Sequence, residues 1–347
     1  MSLISYSAIT TKVRAMQSRL ISDDQFQTLS GVEDVRSAAD FLKQLPAYAD
    51  FFSDLDDTKL HRAHIEQLLT LSEYRDFARL YRFSNQAQRR FLNLYFMHYE
   101  IGIIKQTLRN VLSQQKMDLN LSVFQDFFDK HASIDLVALS QTGNLTDFIT
   151  HLEGSPYHDL LAKLTEQGKT SLFDYEMELD LYYFKSIWKV KSKILSKSER
   201  KILDACFGSR LDLLNLQWIY RAKKYYHLPP ADIYALLIPV NYKLRSTEIR
   251  RLTEASGTEE FFAALKDTYY GSTRYPQLDE TPDLELLYHE ILNQIYAVTG
   301  QKHPYSIAIL DSYLYFKERE KRRIITTIEG IRYGLSAGDI FALAAKQ

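Results

Sequence analysis

Through nearly every long segment of this chain, apolar residues return every three or four positions. Leu284, Leu287, Ile291, Ile295 and Val298 form one such series, and Ile324, Ile328 and Ile331 form another. That spacing lines one face of an α-helix, whereas a half-buried strand needs alternation in twos bounded by turn residues. Only 12 glycines and 8 prolines punctuate the 347 residues, so tight turns are few. Pro46, Gly143-Asn144, Gly154-Ser155-Pro156, Pro229-Pro230, Gly271 and Gly300 mark the expected helix breaks. The fold class that follows is all-α.

Within this helical pattern the sequence echoes itself. Asp40-Phe41-Leu42-Lys43-Gln44-Leu45, Asp147-Phe148-Ile149-Thr150-His151-Leu152 and Glu260-Phe261-Phe262-Ala263-Ala264-Leu265 share one form: an acid, Phe, an apolar residue, and Leu four positions after the Phe. The Phe spacings are 148 − 41 = 107 and 261 − 148 = 113. A second echo aligns Glu100 to Arg109 with Asp212 to Arg221, both at an offset of 112. In the third unit Arg332 follows Arg221 by 111, and Arg323 stands where the acid is expected. A period near 110 exceeds that of solenoid repeats, which run about 20–50 residues. The sequence predicts three homologous helical lobes, at 1–115, 116–225 and 226–347, each packing a short helix against longer ones.

Composition bounds the function. With 46% hydrophobic residues the chain can bury several cores, and its 24 tyrosines and 19 phenylalanines suit helix–helix seams. The 43 basic and 44 acidic residues leave a net charge of −1, which argues against phosphate neutralisation along a whole surface and hence against nucleic acid as partner. The single cysteine, Cys206, excludes an intrachain disulfide and fits a reducing compartment. No apolar stretch is long enough to span a bilayer, since the Tyr234–Val240 run is short and contains Pro239. The first twenty residues lack a continuous apolar run and read as a first helix.

Catalytic and cofactor motifs are not found. Neither GxxxxGK[ST], GxGxxG nor GxSxG occurs. His289-Glu290 opens like a zinc helix, but Asn293 replaces the second histidine. Asp54, Asp56 and Asp57 cluster like a calcium loop, yet Lys59 and Ile65 occupy the positions that need glycine and glutamate. His61 and His64 share a helix face without further ligands. The expectation is a non-enzyme with no cofactor and no metal.

Two positive features remain. The run from Lys185 to Lys201 holds seven basic residues against Glu199 alone. On a helix, Ile187, Val190 and Ile194 face inward while Lys189, Lys193 and Lys197 lie on the wetter side. That surface is either a solvated face or a dock for an acidic partner or anionic headgroups. The second feature is the acid-to-Arg helix. Nine residues span roughly 13 Å, too far for an i,i+4 ion pair. In a ring of lobes Glu100 or Asp212 would instead meet an arginine of the neighbouring lobe, Arg109, Arg221 or Arg332; solvent-facing charges without a partner are the alternative. A closed count would need a third acid, and none is expected in this sequence.

These segments resemble the C/d subunit family of V/A-type (vacuolar and archaeal-type) rotary ATPases. The resemblance rests on Tyr6–Leu20 with Arg14-Ala15-Met16, Glu100–Lys105 with Arg109, Asp212–Leu216 with Arg221-Ala222-Lys223, and Ile328–Ser336. Their order and the threefold repetition extend it across the chain, while Arg323 marks a departure in the third lobe. The resemblance implies a funnel of three lobes around a pseudo-threefold axis, on the cytoplasmic face of the membrane rotor ring. It also implies a socket for central-stalk shaft subunits, ring proteolipids as the second partner, and torque transmission for H⁺ or Na⁺ transport without catalysis. The alternative from composition alone is a helical scaffold assembling unrelated cytosolic partners.

Overall fold

A computed structural model describes residues 3–53, 60–114, 124–271 and 284–347, and every regular element among them is helical. Seven helices of fifteen or more residues dominate: α1 (Leu3–Gln17), α2 (Arg62–Phe83), α3 (Gln86–Ser113), α4 (Leu172–Ile194), α5 (Ser209–Lys224), α6 (Leu284–Lys302) and α7 (Ile307–Arg332). Shorter helices connect them.

Local chemistry sets many boundaries. Ser22 with Gln25, Asn85 with Gln88, and Ser196 with Glu199 form capping boxes that satisfy otherwise orphaned N–H groups. Asp34 and Asn144 cap the helices Val35–Gln44 and Leu145–Thr150. Pro229-Pro230 opens the helix Pro230–Leu236 with proline at its first position. Gly300 behaves differently from the sequence expectation: α6 runs through it to Lys302. A Cβ there would stand 2.8 Å from Ser312 Oγ, so glycine is required by a close helix approach rather than by a break.

The chain divides into two compact units, and both divisions fall inside long helices, α4 and α7. One unit comprises residues 2–183 with 317–345. Part of its core joins Phe26, Leu29, Ala38, Leu42, Tyr48 and Phe52 to Ile324, Ile328, Ile331 and Ile340, so the two ends of the sequence share one apolar cluster. Gly330 permits that closure, since a Cβ there would lie 2.7 Å from Ile340 Cγ1. Elsewhere in this unit Tyr74, Phe77, Phe96, Tyr99, Phe127 and Phe128 pack ring against ring. Such pairs add about 0.5–1.5 kcal/mol each beyond area burial.

The other unit is built on residues 184–316. Leu213, Leu216 and Ile219 of α5 pack with Leu252, Phe261, Leu265, Ile291 and Leu292 in its core. Tyr296 and Tyr315 stack with centroids 4.0 Å apart and planes at 1°. Val298, expected on the buried face of α6, is exposed, and Leu292 and Tyr296 are buried instead.

Candidate functional site

The acids singled out by the repeat, Glu100 and Asp212, sit in a recurring structural motif. Glu100, on α3, is buried; its Oε2 accepts from Tyr157 Oη at 2.7 Å. Its Oε1 accepts from the Ser133 backbone N–H at 2.5 Å and from Ser133 Oγ at 2.9 Å. Asp212, on α5, is fully buried and accepts from the backbone N–H groups of Tyr242 (3.0 Å), Lys243 (2.6 Å) and Leu244 (3.1 Å). Tyr270 Oη donates to it at 2.9 Å. The plan is the same in both: a carboxylate from a long helix gathers a tyrosine hydroxyl and N–H groups from a loop just before a helix N-terminus. Hydrogen bonds to a charged group are worth about 1.5–3 kcal/mol each.

A third copy exists, and its carboxylate is Glu320 on α7. Its Oε1 accepts from Tyr48 Oη, and its Oε2 from the Ile21 backbone N–H at 2.5 Å. Ile21 immediately precedes the cap Ser22, as Leu244 precedes the cap Arg245. Here a cation joins in: Lys317 Nζ donates to Glu320 Oε1 at 3.0 Å and to Tyr48 Oη at 2.9 Å.

The third acid is therefore three residues before Arg323, where the sequence echo had placed it. Arg323 instead stacks on Phe26 and pairs with Asp23 at 2.9 Å. The short-helix echo slips by the same three residues. Counted from the caps, Asp34, Asn144 and Gly257, the fourth residue onward is Ala38, Phe148 and Phe261, and the eighth is Leu42, Leu152 and Leu265. All six are buried. Ala38 thus holds the seat that phenylalanine holds twice, while Phe41 is only half-buried.

The arginines separate from the acids for a geometric reason. Nine residues at 100° each amount to 900°, which is half a turn out of register and lands on the opposite helix face. Arg109 accordingly pairs with Glu176 at 2.6 Å, and Arg221 with Glu285, both on the solvent side. Among the described residues neither Glu100 nor Asp212 meets an arginine. Nine residues past Glu320 the charge is reversed, and Glu329 pairs with Arg62 at 3.5 Å. Arg332 hydrogen-bonds the Leu60 carbonyl at 3.2 Å and lies 3.8 Å from Glu329. Each acid helix then ends in a left-handed residue, Gln114, His227 or Gly334. Their distances past the acid are 114 − 100 = 14, 227 − 212 = 15 and 334 − 320 = 14.

Burial without a counter-cation raises the carboxyl of Asp212 above its ordinary range, against the lowering effect of its N–H and tyrosine donors. Tyr157 is pushed up by burial and by Glu100, which keeps its hydroxyl a donor. Asp311 on α7 is buried with Oδ2 unbonded, and burial pushes it to about 7 despite the Arg210 charge. Burial also raises the Cys206 thiol.

The basic run divides into exposed and buried parts. Lys189, Lys193 and Lys197 are exposed, as are Lys185 and Lys201. Lys191 turns inward against the Trp188 ring and pairs with Asp204. His61 is the N-cap of α2, its Nδ1 accepting from the His64 N–H at 3.2 Å. The Asp54–Lys59 calcium-like cluster lies outside the described residues. Among the described residues no group of three or more His, Cys, Asp or Glu is placed to hold a metal ion.

A family model described as ATP synthase (C/AC39) subunit matches residues 9–342. The chain belongs to that family. Relatives named as the C subunit of an A-type ATP synthase include that of Methanobrevibacter smithii, 22% identical over 331 residues, 92% of this chain and 82% of the relative. The protein of that name from Thermococcus kodakarensis is 23% identical over 338 residues, covering 95% and 87%. The one from Pyrococcus horikoshii is 27% identical over 331 residues, covering 92% and 84%. No described helix of this C/AC39 chain is long and apolar enough to cross a membrane. Its clasp tyrosines were missed in the sequence, although a signal exists: Tyr48, Tyr157 and Tyr270 stand fourteen, thirteen and thirteen residues past the caps Asp34, Asn144 and Gly257.

Proposed function

We propose that this C/AC39 protein is a central-rotor coupling piece of a V/A-type ATPase. It is a non-catalytic socket, peripheral on the cytoplasmic face, that links the central-stalk shaft to the membrane rotor ring and passes torque for H⁺ or Na⁺ transport. The relatives' naming as the C subunit of A-type ATP synthases supports the complex, and the threefold clasp supports the mechanical role. With lobes at 1–115, 116–225 and 226–347, Glu100 reaches from the first lobe to Ser133 and Tyr157 of the second. Asp212 reaches from the second to residues 242–244 and Tyr270 of the third, and Glu320 reaches from the third to Ile21 and Tyr48 of the first. On the proposed lobe division these links would tie each lobe to the next, as a three-lobed funnel under load requires. Buried charge-assisted bonds are short and directional, so they resist sliding where apolar contacts alone would slip.

In this reading Glu100 and Asp212 stabilise the lobes. Arg109, Arg221 and Arg332, with Lys189, Lys193 and Lys197, are the charged positions offered to partners. The test is affinity isolation of the tagged protein from gently solubilised membranes, with mass spectrometry and an ATPase assay. Stoichiometric recovery with a small ring proteolipid and nucleotide-binding subunits is expected. Recovery from the soluble fraction with unrelated partners would overturn the reading in favour of a scaffold.

A further inference from the structure

Charges on the helix surfaces of this protein mostly find opposite partners: even the like-charged neighbours Arg75 and Arg79 meet Asp50 and Asp76, and Glu176 and Asp180 meet Arg109 and Lys105. At i,i+4 spacing Arg36 meets Asp40, Arg62 meets Glu66, Arg250 meets Glu254 and Arg322 meets Glu318. Such pairs stabilise a helix by about 0.2–0.5 kcal/mol, and like charges cost a similar amount. Within α4 the same spacing brings Lys185, Lys189 and Lys193 together, and within the helix Lys197–Leu203 it brings Lys197 to Lys201; Leu195 and Ser196 separate the two helices, and all five lysines are exposed. None of the five pairs with an acid among the described residues. The local acids are already engaged, Glu199 in the capping box with Ser196 and Asp204 with Lys191. Lys197 also occupies a helix N-terminus, where the macrodipole disfavours a cation. The stripe therefore carries a small like-charge repulsion, partly screened by water and salt, that a bound anion would relieve further.

Its composition selects the kind of anion. The exposed residues between the lysines are serines, Ser192, Ser196 and Ser198, while Ile187 is buried and Val190 and Ile194 are half-buried. Among the described residues no large apolar side chain is exposed between 185 and 201. Lysine and serine are what protein–protein interfaces are depleted in, and the one aromatic and the one arginine of this run, Trp188 and Arg200, are half-buried rather than exposed as anchors. Lysine is also a strongly hydrated point charge on a flexible stem, without the planar fork that locks a carboxylate in register. Such a row suits a fluid layer of like anions. It offers no wedge for insertion below the headgroups.

We propose that the exposed stripe Lys185, Lys189, Lys193, Lys197 and Lys201 docks against an anionic phospholipid headgroup surface. This deepens the peripheral-membrane part of the proposed function and rests on it. It is nevertheless tested on the isolated chain, so that its failure is distinguishable from failure to co-isolate with a shaft and ring. Each lysine near such a surface contributes roughly a fivefold gain in partitioning.

The experiment is flotation of the full chain with vesicles of phosphatidylcholine, with and without 30% phosphatidylglycerol, at low and high salt. Binding is expected only to the anionic vesicles and should weaken as salt shortens the Debye length. Lys189→Gln/Lys193→Gln should lower partitioning roughly 25-fold, and Lys189→Glu/Lys193→Glu should abolish it. The control Lys163→Glu/Lys169→Glu, exposed lysines elsewhere with the same change in net charge, should bind like the wild type. Equal loss in the control, or no preference for anionic vesicles, would overturn the proposal. So would stripe-dependent binding of a glutamate-rich helical peptide by a chain that ignores vesicles, an outcome that would assign the stripe to an acidic protein.

Discussion

The two compact units differ in how they bury most of their acids. In the unit of residues 2–183 and 317–345, buried carboxylates other than Glu100 meet buried or half-buried cations. Lys317 serves Glu320 at 3.0 Å and Asp76 at 3.8 Å, Lys321 pairs with Glu73, and Arg322 with Glu318 at 2.7 Å. In the unit of residues 184–316, Asp212 is held by backbone N–H groups and a tyrosine, while Asp311 has an unbonded Oδ2 and feels the charge of Arg210. Dipoles satisfy hydrogen-bond geometry without cancelling charge, so both of these acids are raised by burial. The same fold position can be filled either by an ion pair or by a nest of N–H groups. The choice decides whether local stability depends on protonation.

The largest effect should come from breaking the paired region. Lys317→Ala leaves Glu320 and Asp76 together without their shared cation. Loss of one partner of a buried pair costs about 3–5 kcal/mol. Thermal melting should fall by several degrees. Hydrogen exchange should quicken first around residues 21–52, which Tyr48 and Ile21 tie to α7. If protection there is unchanged, the clasp does not hold the two chain ends together.

Removing the dipole-held acid should cost somewhat less. Asp212→Ala leaves Tyr270 Oη and the N–H groups of residues 242–244 without their acceptor, at roughly 3 kcal/mol after partial rescue by water. Asp212→Asn should recover little, because both oxygens accept from N–H groups and one would become a donor. A near-wild-type melting temperature for the asparagine variant would mean that the site needs shape alone.

Protonation separates the two regions most cleanly. Asp311 stands at about 7 in the fold against 3.8 for the free side chain. A raised folded value means that the acid favours the folded state below pH 3.8, and that this contribution disappears as pH climbs through 7. Asp311→Asn should therefore stabilise the protein at pH 8 by about 2 kcal/mol and hardly at all at pH 4, since the amide still costs something to bury. Melting curves of the variant and wild type across that range are the check. A gap independent of pH would locate the effect in packing. Asp212, raised in the same direction, should leave a residual slope in the variant.

Helical class and many of the breaks were legible because they rest on spacing and on few breakers. The first two acids were legible because Glu100 and Asp212 keep a common offset to their arginines. The third copy was not, for three physical reasons. Its acid and its tyrosine lie at opposite ends of the chain, 320 − 48 = 272 residues apart, so no local window holds both. Ala38 replaces the phenylalanine that would have marked the register, and nearby Phe41 supplies a false one. Glu329 stands where an arginine was sought, which drew the reading to Arg332. The partners of the acids were missed because a loop N–H has no side-chain signature. The direction of Lys191 was hidden too, since its inward turn depends on Asp204 and Trp188 rather than on its own neighbours.

The charge reversal in the third copy offers the finest test of equivalence. Arg109 with Glu176 and Arg221 with Glu285 run from the acid helix to the following long helix, and Glu329 with Arg62 runs the same way with the signs exchanged. If the three positions are equivalent, the site tolerates either order. Glu329→Arg alone should cost the more, as it sets two cations together where Glu329 is mostly buried, and Arg62→Glu alone, at the exposed end, should cost about 0.5 kcal/mol. Arg62 also pairs with Glu66 and Arg332 with Glu329, so each single variant disturbs a small network. The double variant, which imposes the order found in the other two copies, should return to within a few tenths of a kcal/mol of wild type. A double-mutant cycle read from melting temperatures at low salt measures the coupling, which should shrink at high salt. Costs that simply add would show that Glu329 and Arg62 are neighbours by chance, and the equivalence of the third copy would then rest on the buried clasp alone.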